Sequence, residues 1–108
     1  MELQQFKDSL YVNLEFRKAN VFSKVLKIEE DGIRYSIGKN GNSKKVTFEE
    51  IQLAISEVER NGCITRQWFN ETSPIQAKTA GCNFTTIGGL LQHFLYVDYS
   101  PGKYTKAY

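Results

Sequence analysis

Hydrophobic and polar positions follow two different periods along the chain. The change of period splits it into a strand-rich first part and a helix-rich second part. Leu3, Phe6 and Leu10 are spaced as on a helical turn, whereas Leu10, Val12, Leu14 and Phe16 alternate with Tyr11, Asn13, Glu15 and Arg17. Strict alternation predicts a strand after a short helical turn. Arg17 to Asn20 reads as a connection, and Val21 to Glu29 is β-branched enough for a second strand. Asp31-Gly32 suits a two-residue turn whose central residues both need positive φ. Counting outward from it predicts the pairs Glu30 with Ile33, Ile28 with Tyr35 and Leu26 with Ile37. Asn40-Gly41 predicts a second turn of the same kind, pairing Tyr35 with Val46 and Ser36 with Lys45. Both turns place apolar residues on one face, which a slip of one residue would invert.

The period then becomes helical. Thr47-Phe48-Glu49-Glu50 has the form of a capping box. Phe48, Ile51, Ala54, Ile55 and Val58 make an apolar stripe, and Gly62 supplies a left-handed stop. The outer face of this helix, with Glu49, Gln52, Glu57 and Glu59, is acidic. Thr65 is placed to cap a second short helix through Phe69, and Ser73 to Gly81 reads as a loop. Thr85 or Thr86 opens a third helix with Ile87, Leu90, Leu91, Phe94 and Leu95 on one side. Gly88-Gly89 inside it costs roughly 1 kcal/mol per glycine relative to alanine. A close approach of the backbone to another element or a ligand is needed to offset that loss. Tyr96 to Tyr99 reads as a last extended piece and residues 100–108 as a tail.

The expected fold is α+β: one domain over residues 1–108, an antiparallel meander of about four strands, and two or three helices packed on one face. The expected core draws Val12, Leu14, Leu26, Ile28, Tyr35, Ile37 and Val46 from the strands. The helical part adds Ile51, Ile55, Val58, Trp68, Phe84, Leu90, Leu91 and Phe94. A length of 108 residues and 41% hydrophobic content suit a single core of this kind. No apolar run nears the roughly 20 residues of a membrane span, and the N-terminus lacks the pattern of a secretory signal. Both point to a cytoplasmic chain with no membrane partner, in which Cys63 and Cys82 are reduced, buried thiols.

Charge narrows the functional classes. The net charge of +2 is too small to imply nucleic acid by itself, but it is unevenly spread. Residues 1–46 carry nine Lys/Arg against six Asp/Glu. The second turn and its flanks hold Lys39, Lys44 and Lys45 with no acid, as a hairpin tip lying on a phosphate backbone would. The same sheet face is expected to show Tyr11, Arg17, Lys27, Arg34 and Ser36, a basic and aromatic mixture suited to stacking plus charge. A helix-turn-helix over residues 47–71 would offer only Arg66 and Gln67 as base readers, behind an acidic first helix. His93 is the single histidine, so a metal or acid–base site would have to use it. The spacing of Cys63, Cys82 and His93 does not fit a zinc site, and no cofactor motif is present. Tyr96, Tyr99, Tyr104 and Tyr108 crowd the C-terminus as interface tyrosines do. The expectation is a non-enzymatic binding module that forms a homo-oligomer and contacts nucleic acid through Tyr11, Arg34, Lys39, Lys44 and Lys45. The alternative is a small-molecule-binding or catalytic cleft near His93, Trp68 and Arg66.

Overall fold

The alternation over Leu10–Phe16 does not become one strand. In the computed structural model, which describes residues 1–38 and 41–108, helix α1 spans Leu3–Ser9 and strand β1 begins only at Glu15 and ends at Lys18. Between them Asn13 takes a left-handed φ of 75°, a conformation that Asn tolerates better than most side chains. The kink leaves Leu14 buried but turns Tyr11 and Val12 out to solvent, so Val12 is not part of the core. The Asn13 amide still donates to the Val25 carbonyl at 2.7 Å, which ties the segment to β2 (Val21–Ile28).

Strands β1, β2, β3 (Gly32–Ile37) and β4 (Asn42–Thr47) form the expected antiparallel meander, in that order. Both hairpins differ from the predicted register by two residues at the turn. Ile28 faces Ile33, and the Glu29 amide donates to the Gly32 carbonyl at 2.8 Å, so Glu30 and Asp31 occupy the turn. Neither has positive φ. Gly32 is required for a different reason: a Cβ there would collide with the backbone of Val46 and Thr47 on β4. A bulge between Val25 and Lys27 then sets Val25 opposite Tyr35. Val25 is therefore the buried residue, while Leu26 and Ile28 are 38% and 39% exposed, contrary to expectation. In the second hairpin Ile33 pairs with Val46, Tyr35 with Lys44 and Ser36 with Ser43. A shift of two keeps every side chain on its expected face. Asn40 of the predicted turn lies outside the described residues.

The first long helix follows the sequence closely. α2 (Phe48–Asn61) has both halves of its capping box, with the Glu50 amide donating to Thr47 Oγ1 and the Thr47 amide to Glu50 Oε2. Its stripe is buried, and Gly62 stops it at φ 82°. β5 (Cys63–Thr65) and α3 (Arg66–Thr72) follow, with Thr65 Oγ1 accepting from the Trp68 amide at 3.0 Å. Phe69 is fully packed and Trp68 only partly so. Part of the expected loop is a helix, α4 (Pro74–Thr79), in which Pro74 supplies a preset φ and needs no amide partner. α5 starts at Asn83, two residues before the expected Thr85, and runs to His93.

The second sheet was not anticipated. β6 (Val97–Ser100) and β7 (Lys103–Lys106) form a hairpin, and β7 pairs on its other side with β5, giving the order β5-β7-β6. The expected tail is thus the central strand of a sheet. Helix α5 lies between the two sheets, and its paired glycines permit this. A Cβ on Gly88 would enter the Tyr104 ring of β7, and one on Gly89 would strike the Arg17 carbonyl of β1. The fold class is α+β as expected, with more helices than expected. No helix is long and apolar enough to cross a membrane among the described residues.

Gly88→Ala and Gly89→Ala are expected to lower the urea midpoint, with a loss of about 1–3 kcal/mol from overpacking. Helix propensity alone gives the opposite sign, a gain of roughly 1 kcal/mol. A raised midpoint would show that neither side of α5 is in close contact.

Candidate functional site

The pleat of the four-stranded sheet separates two kinds of surface. Phe16, Val25, Ile33, Tyr35 and Val46 point inward and are buried beneath the helices. The outer face presents the cross-strand pairs Arg17 with Phe22, Glu15 with Lys24, and Lys27 with Arg34 and Lys45. Phe22 is 73% exposed, and the Arg17 guanidinium lies 6.0 Å from its ring centre. Arg17 is held there by donating from Nε to the Ala19 carbonyl at 3.1 Å. Ser36 turns its hydroxyl into the ladder, where it accepts from the Lys24 amide at 3.0 Å.

The charge on this face is distributed unequally. Near the first turn Lys45 Nζ lies 2.8 Å from Glu29 and 2.6 Å from Asp31, and Glu29 also meets Arg34 at 3.3 Å and Lys27 at 3.8 Å. Hydrogen bonding from Lys45 holds both carboxyls below their usual range, and the same two carboxylates push the Lys45 ammonium up. Exposed pairs of this kind add little stability but cancel much of the local field. Arg17 and Lys24, at the β1–β2 side, form no ion pair among the described residues. Arg17 and Lys24 thus flank Phe22 as cations outside the ion-pair cluster of the first turn.

The expected sites are only partly brought together. Arg34 and Lys45 share the outer face. Lys44 points the other way, opposite Tyr35, and donates from Nζ to the Thr79 carbonyl at the end of α4. Tyr11 is exposed but precedes the kink, outside β1, and Lys39 lies outside the described residues. His93 is exposed at the end of α5 on a groove of about 380 Å³, lined with Glu15, Phe16, Arg17, Phe22, Gly89 and Gln92. Trp68 and Arg66 do not line it. Arg66 donates to the Gly81 carbonyl at 2.6 Å and lies 4.7 Å over the Phe84 ring. Of the four tyrosines, Tyr96 is buried with its hydroxyl donating to Glu59. Tyr104 is also buried, and desolvation pushes its hydroxyl up to about 12. Tyr99 packs against Tyr104, which leaves only Tyr108 free at the surface.

A buried polar cluster joins the sheet to α5. The Tyr35 hydroxyl donates to Asn83 Oδ1 and lies 3.0 Å from Cys82 Sγ. Asn83 Nδ2 donates to Glu50 Oε1 and to the Lys45 carbonyl on edge strand β4. Lys18 is 7% exposed with its ammonium 4.6 Å over the Tyr35 ring, and desolvation lowers its pKa. Cys63 and Cys82 are both free and half-buried.

From α2 onward the chain runs helix, strand, three helices and a hairpin, with β5 paired to β7. A helix-turn-helix reading of this part would take α5 as its last helix. The last helix would have to read a groove, yet Asn83, Phe84 and the run from Thr86 to Leu91 are buried in α5. Residues 47–71 form only the first part of this arrangement, with Arg66 tied to Gly81. Comparison of the chain with protein-family models, curated proteins and solved structures gives no match.

Phe22 and Lys24 escaped the sequence reading. The residue that points inward between them is Ser23, whose Oγ donates to the Ser36 carbonyl at 2.7 Å. A hydrophobicity rule places Phe22 inside and Ser23 outside, the reverse of what is found.

The Lys45 contacts set a sign for acid titration. Carboxyls depressed in the folded state contribute stability above their unfolded pKa and lose it as pH falls through the folded value. By NMR, Glu29 and Asp31 are expected to titrate below their ordinary values of 4.5 and 3.8. In Lys45→Met both midpoints are expected to move up toward those values; unchanged midpoints would remove Lys45 as the cause.

Proposed function

We propose that the chain is a non-enzymatic binding module that holds single-stranded nucleic acid on the outer face of its four-stranded sheet. The carrying observation is Phe22, standing 73% exposed beside the cations Arg17 and Lys24 on the outer face of the sheet. An aromatic ring at the surface accepts a base by stacking, and nearby cations follow the phosphates. Duplex reading receives no such support, because α5 is enclosed and the outer side of α2 is acidic. The reading centres on the β1–β2 side, since Glu29 and Asp31 near the first turn engage Lys27, Arg34 and Lys45 in ion pairs.

A second reading, self-association through β2, is favoured by the exposure of Val21, Phe22, Leu26 and Ile28 along that strand. Exposed apolar clusters of this kind mark contact surfaces. Light scattering during size exclusion tests it: a monomer at high micromolar concentration would remove it.

The nucleic-acid reading is tested by fluorescence anisotropy with labelled oligo(dT) across a salt series. Phe22→Ala is expected to weaken binding by about 10-fold or more, from the worth of one stacked base. Reversing both charges in Arg17→Glu/Lys24→Glu is expected to flatten the salt dependence. Absence of binding at low salt, or binding indifferent to Phe22→Ala, would overturn the proposal.

A further inference from the structure

The groove beside Phe22 carries a finer chemistry than stacking. It opens where β1 crosses the end of α5, and Gly89 leaves its floor without a side chain because the Arg17 carbonyl fills that position. At about 380 Å³ it is large enough for one base with its sugar. Its walls combine two kinds of group. Phe22 and His93 are exposed rings, able to take the faces of a planar ligand. Glu15 and Gln92 carry a carboxylate and an amide, able to meet its edge, and Arg17 supplies a cation at the rim. No ion pair engages Glu15 among the described residues, so its two oxygens remain available as acceptors.

We infer that this groove takes one unpaired guanine of the bound strand. The inference deepens the single-strand reading above. The argument is complementarity of hydrogen-bonding groups. A carboxylate is an acceptor only, and it is matched bidentately by two parallel N–H donors. Guanine presents such a pair on one edge, through N1–H and the exocyclic N2 amine. Adenine presents an acceptor at N1 beside its amine, and thymine offers a single N–H between two carbonyls, so each leaves one carboxylate oxygen facing an acceptor. Gln92 adds an amide donor for the guanine O6. Each well-formed bidentate pair discriminates bases by roughly 10-fold or more.

Anisotropy with short oligo(dT) strands carrying one central guanine, adenine or hypoxanthine tests this. Hypoxanthine keeps N1–H and O6 but lacks the N2 amine. The expected order is guanine above hypoxanthine above adenine, with guanine favoured over adenine by about 10-fold. In Glu15→Gln the ratio of guanine to adenine affinity is expected to fall close to one. If plain oligo(dT) binds through Phe22 but guanine gains nothing over adenine, the guanine site is wrong and the stacking face stands. A guanine preference that survives Glu15→Gln also overturns it. If no strand binds, both readings fall together.

Discussion

The contact of helix α5 with a sheet on each side is the constraint from which the remaining architecture follows. Two adjacent helical residues point about 100° apart, so a glycine pair opens two neighbouring sectors of the helix surface. Gly88 admits the Tyr104 ring of the second sheet, and Gly89 admits the β1 backbone of the first. Any larger residue would push one sheet away. The roughly 1 kcal/mol that each glycine loses in helix propensity is small beside the apolar burial gained when Phe16 and Tyr104 close on the helix and its own Phe84 and Leu90 are covered.

That arrangement also governs what is left for function. Enclosing α5 uses Asn83 and Thr86, two polar residues of its first turns, inside the protein. Asn83 bridges β4 to Glu50, whose other carboxylate oxygen completes the α2 cap. Capping, edge protection and helix docking thus share one chain of hydrogen bonds. The consequence is that α5 has no exposed reading face, while the outer face of the first sheet keeps its polar and aromatic side chains exposed.

On that face, position along the strands decides electrostatics. Glu29 and Asp31 stand at one end and hold three cations. Arg17 and Lys24 stand at the other, next to an exposed aromatic ring. Net charge over the first half of the chain counts all of these equally and does not separate the two ends. The difference arises because Coulomb attraction between exposed groups is appreciable only within a few ångströms and is screened beyond about 10 Å.

The sequence by itself determined the features that depend on neighbours a few residues apart. The capping box at Thr47–Glu50, the apolar stripe of α2, its stop at Gly62 and the sites of both hairpins were legible because they are local. The parity of β3 and β4 was legible too, since a shift of two residues leaves faces unchanged. Only the tertiary structure decided the rest. Asn13 breaks an alternation that reads as continuous, and the bulge at Leu26 exchanges Val25 for Leu26 in the core. Ser23 points inward because Ser36, 13 residues away, offers it a carbonyl, and that sends Phe22 out. Gly32, Gly88 and Gly89 answer to Val46, Tyr104 and Arg17, which are distant in sequence. Each of these outcomes is set by a contact between separated segments, and a periodicity read along the chain contains no term for it.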